Sequence, residues 1–154
     1  MSSRIAVYVG SFDPFHIGHK YVAETAAAIF DKVVVCVAVN PEKEDVMRSP
    51  MARVADIKNI LSETGNIEVS CMSGMAVDIA RRLGASFIVK GVRNGKDFED
   101  EMLQSDANLH LAGIKTVLIP SPPEYAFVSS TMIRGIAKIE NSEGHIRKLM
   151  CGKE

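Results

Sequence analysis

Ile5-Ala6-Val7-Tyr8-Val9-Gly10-Ser11-Phe12-Asp13-Pro14-Phe15-His16-Ile17-Gly18-His19 changes physical character twice within fifteen residues. Its first five residues are a short apolar run of the kind that forms a buried strand. Gly10 ends the run and permits a tight turn with close approach of backbone to a ligand. Asp13-Pro14 is a turn pair. From Gly18 an alanine-rich stretch to Phe30 predicts a helix, with His16 and His19 three apart at its start and able to face one side. Strand, glycine turn and helix N-terminus in this order make a site for anions, because free backbone N–H groups and the helix dipole both favour negative charge there.

Working outward, the same alternation repeats. Val33 to Val39 is valine-rich, the composition of a strand covered on both faces. Ser49-Pro50 predicts an N-cap followed by proline at the first helical position, with Val54, Ile57 and Leu61 on one face. Ile67 to Cys71 is a less apolar strand, expected nearer an edge. Met75, Ile79 and Leu83 predict a helix closed by Gly84. Phe87 to Val89 predicts a fourth strand, and Asp97 to Leu111 a helix with Phe98, Met102 and Leu109 on one side. Thr116 to Ile119 gives a fifth strand stopped by Pro120, Ser129 starts another helix, and a short one follows near Ile146 to Met150. The expected fold is α/β: a doubly wound, five-stranded parallel sheet of Rossmann-like type. Residues 1–154 read as one domain.

Composition narrows the function. The 154 residues are 47% hydrophobic, enough for a core without disulfide or metal staples. A net charge of −1 gives no basic face for nucleic acid. Cys36, Cys71 and Cys151 are far apart and form no C-x-x-C; Cys36 and Cys71 lie in apolar runs and are expected to be buried. Neither a signal peptide nor a membrane span is expected, and the chain reads as cytoplasmic.

Parallel sheets of this kind bind ligands beyond the carboxyl ends of their strands, and the residues with unusual chemistry fall there. His16 and His19 alone are equally a metal pair or surface histidines; with the glycines and the strand beside them, phosphate binding leads. Lys43 after the second strand reads, taken alone, as a solvated charge among Glu44, Asp45 and Arg48. Met75 after the third reads more readily as core than as pocket. After the fourth, Lys90 and Arg93 flank Gly91, a way to grip phosphate. The carboxylates from Asp97 to Glu101 are either a solvated helix start or acceptors for ribose or adenine. Ser129, Ser130 and Thr131 are ordinary caps or, with Arg134, a second phosphate cradle.

Gly10 to His19 together with Val128-Ser129-Ser130-Thr131 and Arg134 resembles the HxGH nucleotidyltransferase superfamily. Nearly the whole chain, with Lys43, Gly91-Val92-Arg93 and Glu101, resembles its bacterial phosphopantetheine adenylyltransferase branch. The resemblance implies transfer of AMP from ATP to 4′-phosphopantetheine, giving dephospho-coenzyme A and pyrophosphate, with CoA or dephospho-CoA as further ligands. It implies ATP contacts from Ser11, Phe12, His19, Gly91, Val92, Arg93, Glu101, Tyr125, Ala126, Phe127, Val128, Ser129, Ser130 and Thr131. His19 would stabilise the transition state, and Ser11, Lys43, Met75 and Lys90 would hold the acceptor. His16 and Arg134 are additional candidate phosphate contacts. Magnesium carried by ATP, without protein ligands, and a homohexamer are also implied. His16 stands where this branch commonly has threonine and where nicotinamide-mononucleotide adenylyltransferases have histidine. Lys90 stands where the branch has arginine, keeping the charge but losing the bidentate fork. The mononucleotide adenylyltransferase is therefore the rival reading.

Overall fold

The thirteen residues Ile17–Ile29 form a helix whose buried Val22, Ala23 and Ala26 recur on one face and pack beneath a sheet that the valine runs build. The computed structural model describes residues 2–43 and 46–152, so Glu44 and Asp45 lie outside the described residues. Its elements, in chain order, are β1 (Ile5–Gly10), α1 (Ile17–Ile29), β2 (Lys32–Ala38), α2 (Pro50–Ile60), β3 (Ile67–Met72), α3 (Ala76–Arg82), β4 (Phe87–Val92), α4 (Gly95–Ala112), β5 (Lys115–Pro120), α5 (Ser130–Ile136) and α6 (Glu143–Cys151). The five strands form one parallel sheet in the order β3-β2-β1-β4-β5. The chain builds outward from β1 to β3, then returns to lay β4 on the other side of β1.

That reversal opens a crevice. β1 pairs with β2 along its whole length, from Ile5↔Lys32 to Gly10↔Val37. It pairs with β4 only across Ala6–Tyr8 and Phe87–Val89. Beyond Tyr8 and Val89 the two strands lose their register, and their carboxyl ends stand apart. One core lies under α1 and α2, where Val33, Val35 and Val37 meet Val22, Ala26, Val54 and Ile57. The other lies under α3, where Val7, Val34 and Cys36 meet Val77, Ile79 and Ala80. Each such fully buried aliphatic side chain contributes about 1.5–3 kcal/mol.

Several ends fall as the sequence suggests. Ser49 caps α2, accepting from the Ala52 N–H at 3.2 Å, with Pro50 in the first turn. Gly84 closes α3 at φ +67°. β3 is an edge strand, and for that reason Cys71 is only half-buried, whereas Cys36 is fully buried. Three expectations are corrected. Met75 is not a core position of α3 but its N-cap, and it is 57% exposed. α4 begins at Gly95 rather than Asp97, because the Asn94 side chain accepts from the Asp97 N–H at 2.9 Å. Its apolar stripe also points the unexpected way: Phe98, Met102 and Leu109 are exposed, and the inward stripe is Asp97, Glu101, Ser105, Asn108 and Ala112. α4 therefore has no fully buried residue.

Candidate active site

Gly10 decides how the first loop leaves the sheet. A Cβ there would stand 2.9 Å from the ring of Phe12, so only glycine lets that ring fold back over the strand end. Phe12 takes φ +48°, a conformation that costs a bulky residue about 1–3 kcal/mol. Packing offsets it: the ring is buried and meets Tyr8 at 5.1 Å, Phe15 at 5.3 Å and His19 at 4.9 Å between centroids. With Phe12 drawn inward, Ser11 is left exposed at the rim.

The histidines are fixed by the helix start. His16 is the N-cap of α1, its Nδ1 accepting from the Gly18 N–H at 3.1 Å, and His19 Nδ1 accepts from the His16 N–H at 3.2 Å. A Cβ on Gly18 would stand 2.9 Å from His16 Cε1, so the glycine is what lets the His16 ring lie there. The rings stack with centroids 3.7 Å apart. Because both Nδ1 atoms accept, each neutral ring carries its proton on Nε2. Burial, then the Arg93 charge, pushes His16 down to about 4. Burial, then His16, Arg93 and Lys90, holds His19 well below the ordinary imidazole range. The pair is neutral at physiological pH and offers hydrogen-bond donors without an exchangeable positive charge.

Cations ring the same opening. Lys90 Nζ lies 3.6 Å from Glu101 Oε1. Arg93 donates from Nε to Asp97 Oδ2 at 2.9 Å and from Nη1 to the Val128 carbonyl at 3.4 Å. Burial works to raise the Asp97 carboxyl, but Arg93 prevails and holds it below the usual range. Arg134 donates from Nη1 to the Asp13 carbonyl at 2.8 Å and from Nη2 to Thr131 Oγ1 at 3.2 Å. Ser129 Oγ caps α5 by accepting from the Met132 N–H, and the Ser130 hydroxyl donates to the Pro14 carbonyl at 2.9 Å. Lys43 follows a turn in which Asn40 Oδ1 accepts from the Glu42 N–H at 3.0 Å.

Of the residues singled out in the sequence, Ser11, Phe12, His16, His19, Lys43 and Lys90 line one crevice of about 370 Å³ at the β1/β4 opening. Gly91, Arg93, Glu101, Ser129, Ser130, Thr131 and Arg134 complete it. A second hollow adjoins it, sharing Ser11 and Lys43 and bounded by Ala38, Val39, Asn40, Pro41, Ser73 and Gly74. Met75, Val92, Tyr125, Ala126, Phe127 and Val128 line neither. Val92 and Val128 are buried side chains, Phe127 is 62% exposed, and Tyr125 stands against Tyr21 with centroids 6.1 Å apart.

Three wall or support residues escaped sequence reasoning. Tyr8 lines the crevice, and burial, then Glu101, raises its phenol. It shares a strand face with Gly10 two residues on, a signal the apolar run concealed. Asp13 is more than a turn residue: its fully buried carboxylate accepts from the N–H groups of Met47 and Arg48 at 2.8 and 2.9 Å. Arg53 is buried on α2 and donates to the carbonyls of Arg48 and Ser11. Nothing local in the sequence announces either partner set.

A crevice at the point where strand order reverses, walled by neutral imidazole donors, cations and hydroxyls, has the chemistry to hold a polyphosphate next to a second anion, as a nucleotidyltransferase must. The chain belongs to the cytidylyltransferase-like family, whose profile matches residues 7–136. Its relatives include the phosphopantetheine adenylyltransferase of Porphyromonas gingivalis, 38% identical over 134 residues that cover 87% of each chain. That of Rhodopirellula baltica is 35% identical over 151 residues, 97% of this chain and 84% of its own. Solved structures share the fold at low identity. A bifunctional NMN adenylyltransferase/ADP ribose pyrophosphatase from Francisella tularensis, complexed with AMP and an Mn ion, superposes with TM-score 0.69 at 15% identity, covering 99% of this chain and 46% of that one. The nicotinic acid mononucleotide adenylyltransferase of Plasmodium falciparum, complexed with NaAD, gives 0.67 at 15% identity, covering 97% and 91%.

Proposed function

We propose that this chain is a pantetheine-phosphate adenylyltransferase: it moves AMP from ATP onto 4′-phosphopantetheine, giving dephospho-coenzyme A and pyrophosphate in coenzyme A biosynthesis. The observation that carries the reading is the pair of adjoining hollows that share Ser11 and Lys43, in a chain that matches phosphopantetheine adenylyltransferases along most of its length. One hollow suits a nucleotide and the other an extended acceptor, with their phosphates meeting at the shared residues.

The step is an in-line displacement. An oxygen of the acceptor phosphate attacks the α-phosphorus of ATP as the bond to the β-phosphate oxygen breaks, and pyrophosphate leaves. The attacking oxygen is already anionic, so neither a general base nor an enzyme nucleophile is needed; positioning and electrostatics supply the rate. His19 Nε2–H donates to the α-phosphate as charge builds, and its neutrality keeps the proton in place. His16, stacked on it, donates in parallel. Lys43 and Lys90 hold the acceptor phosphate, with Met75 at the outer end of the acceptor side. Arg93, Arg134 and the Ser129–Thr131 hydroxyls hold the polyphosphate. Glu101 and the backbone from Gly91 to Arg93 hold the nucleoside, together with the Tyr125 to Val128 segment, which lines neither hollow itself but meets the crevice residue Arg93 through the Val128 carbonyl.

Magnesium enters with the nucleotide. Among the described residues no group of three or more His, Cys, Asp or Glu stands together to hold a metal, and the crevice carboxylates Asp97 and Glu101 already face Arg93 and Lys90. Bound with the nucleotide, such an ion would supply charge neutralisation to the polyphosphate. The proposal extends to a homohexamer; the exposed Phe98, Met102 and Leu109 on one side of α4 are an apolar stripe that association of protomers would cover. Light scattering on an eluting peak checks the mass. No helix among the described residues is long and apolar enough to cross a membrane, and a cytoplasmic location is part of the proposal, as is the absence of nucleic-acid partners.

His16 favours the second reading, transfer to nicotinamide mononucleotide. Pyrophosphate release from ATP and magnesium, with each acceptor offered separately, decides. Release with phosphopantetheine alone supports the proposal; release with the mononucleotide alone replaces it by the second reading.

A further inference from the structure

The first loop (residues 11–16) and the acceptor-side segment at Met47 and Arg48 are gripped by two side chains running in opposite directions. Asp13, on the first loop, reaches across so that its carboxylate accepts from the backbone N–H groups of Met47 and Arg48. Arg53, on α2, reaches back: its Nε donates to the Arg48 carbonyl at 3.0 Å and its Nη1 to the Ser11 carbonyl at 2.6 Å. The Arg48 backbone is thus held at its N–H by the first loop and at its C=O by a side chain of α2. Arg48 is further pinned through its own side chain, whose Nη2 lies 2.9 Å from Asp56 Oδ1.

Neither charge is needed to fill space. Arg53 is 4% exposed and Asp13 is 0% exposed, and Val54 and Ile57, beside Arg53 on α2, satisfy the same core with apolar atoms. A buried guanidinium is tolerated only where it finds hydrogen-bond partners; here Nε and Nη1 find them in carbonyls of the two segments that bear Ser11 and follow Lys43. Those two residues are the ones shared by the two hollows.

We propose that Arg53 is a positioning residue which, with Asp13, braces the acceptor-side loop against the nucleotide-side loop and so sets the distance between the two reacting phosphates. The proposal rests on the two-substrate displacement above for its kinetic consequence, but not for its structural one. In-line transfer needs the attacking oxygen and the α-phosphorus held at one separation, and a shift of about 1 Å costs about a hundredfold in rate. Each substrate still meets its own side chains when the brace is cut, so the loss falls on kcat more than on either KM.

Two measurements on Arg53→Met and Arg53→Lys test this. Hydrogen exchange reads the Met47 and Arg48 amides, whose acceptor is Asp13 and not the substituted residue. Their exchange is expected to quicken by about tenfold or more in Arg53→Met, as loss of one half of the brace frees the other; unchanged protection would overturn the coupling. Steady-state pyrophosphate release at a temperature where both variants are folded is expected to show kcat down by about 10- to 100-fold, with each KM within about threefold, and Arg53→Lys, which can reach one carbonyl, in between. A lowered Tm with unchanged kcat would make Arg53 merely structural. Arg53→Lys stands in where Arg53→Met does not fold. A wild-type chain that releases pyrophosphate with neither acceptor defeats the functional reading, and the exchange measurement still decides the brace.

Discussion

Acidification is expected to weaken this fold well above the range where carboxylates titrate, and the stacked histidines set the size of the effect. In the folded chain His16 takes up a proton only near about 4, against an ordinary 6.5 once unfolded. Between those values the unfolded state binds more protons than the folded one, so stability falls as pH falls and is flat above the unfolded value. Each pH unit crossed removes about 1.4 kcal/mol, so going from pH 6.5 to about pH 5 costs ~2 kcal/mol through His16; His19, held below the ordinary imidazole range by burial, acts in the same direction. The His16 share alone, ~2 kcal/mol, is a sizeable part of the roughly 5–15 kcal/mol that holds a domain of this size together. Urea unfolding with linear extrapolation at about pH 7.5 and about pH 5 measures it. His16→Asn, which keeps a capping side chain, is expected to remove the His16 share of the loss, and His16→Asn with His19→Gln to remove more of it. A wild-type loss under ~1 kcal/mol, or a double variant that loses as much as wild type, would refute the reasoning.

Three further outcomes follow from the geometry. His19→Ala removes one preorganised donor and is expected to lower kcat by about 10²-fold or more, with pyrophosphate release as the assay; an unchanged kcat would remove His19 from the transition state. Lys43→Ala is expected to raise the KM for the phosphorylated acceptor several-fold more than that for ATP, and equal increases would count against its place on the acceptor side. Gly91→Ala puts a Cβ 2.8 Å from Val22 Cγ2, an overpacking that costs about 1–3 kcal/mol; thermal unfolding should show it, with partial recovery in Gly91→Ala/Val22→Ala.

Much of the fold was legible because its signals are local. Val33 to Val37 reads as a strand buried on both faces, Ser49-Pro50 as a helix start and Gly84 as a helix end, and each needs only neighbours a few residues away. The positions of Ser11, His19, Lys43, Lys90 and Arg93 at strand carboxyl ends follow from the same alternation, which brings them to one crevice. What could not be read depends on partners far along the chain. The Asp13 carboxylate meets residues 34 and 35 positions on, and Arg53 meets Ser11 42 positions back; no periodicity encodes such pairs. α4 misleads for a different reason. Phe98, Met102 and Leu109 make a proper apolar stripe, but Asp97 and Glu101 are drawn inward by Arg93 and Lys90, so the helix turns its apolar side out. Met75 belongs with it: helical spacing from Ile79 and Leu83 is real, but the helix starts one residue too late to bury it.

The strand order also fixes when, during synthesis, the chain can acquire its crevice. β2 is complete at Ala38 and can cover one edge of β1, but β4, which covers the other, starts at Phe87. At about 5–20 residues per second the ribosome takes roughly 2–10 s to make the chain between them. Through that interval the apolar stretch Ala6–Tyr8 keeps an open edge of unpaired backbone groups, the kind of surface that recruits other strands. Arg134 emerges later still, so the polyphosphate cradle is among the last features to form. Nascent chains arrested before β4 are expected to be cut readily by protease within β1, and those arrested well past α5 to resist.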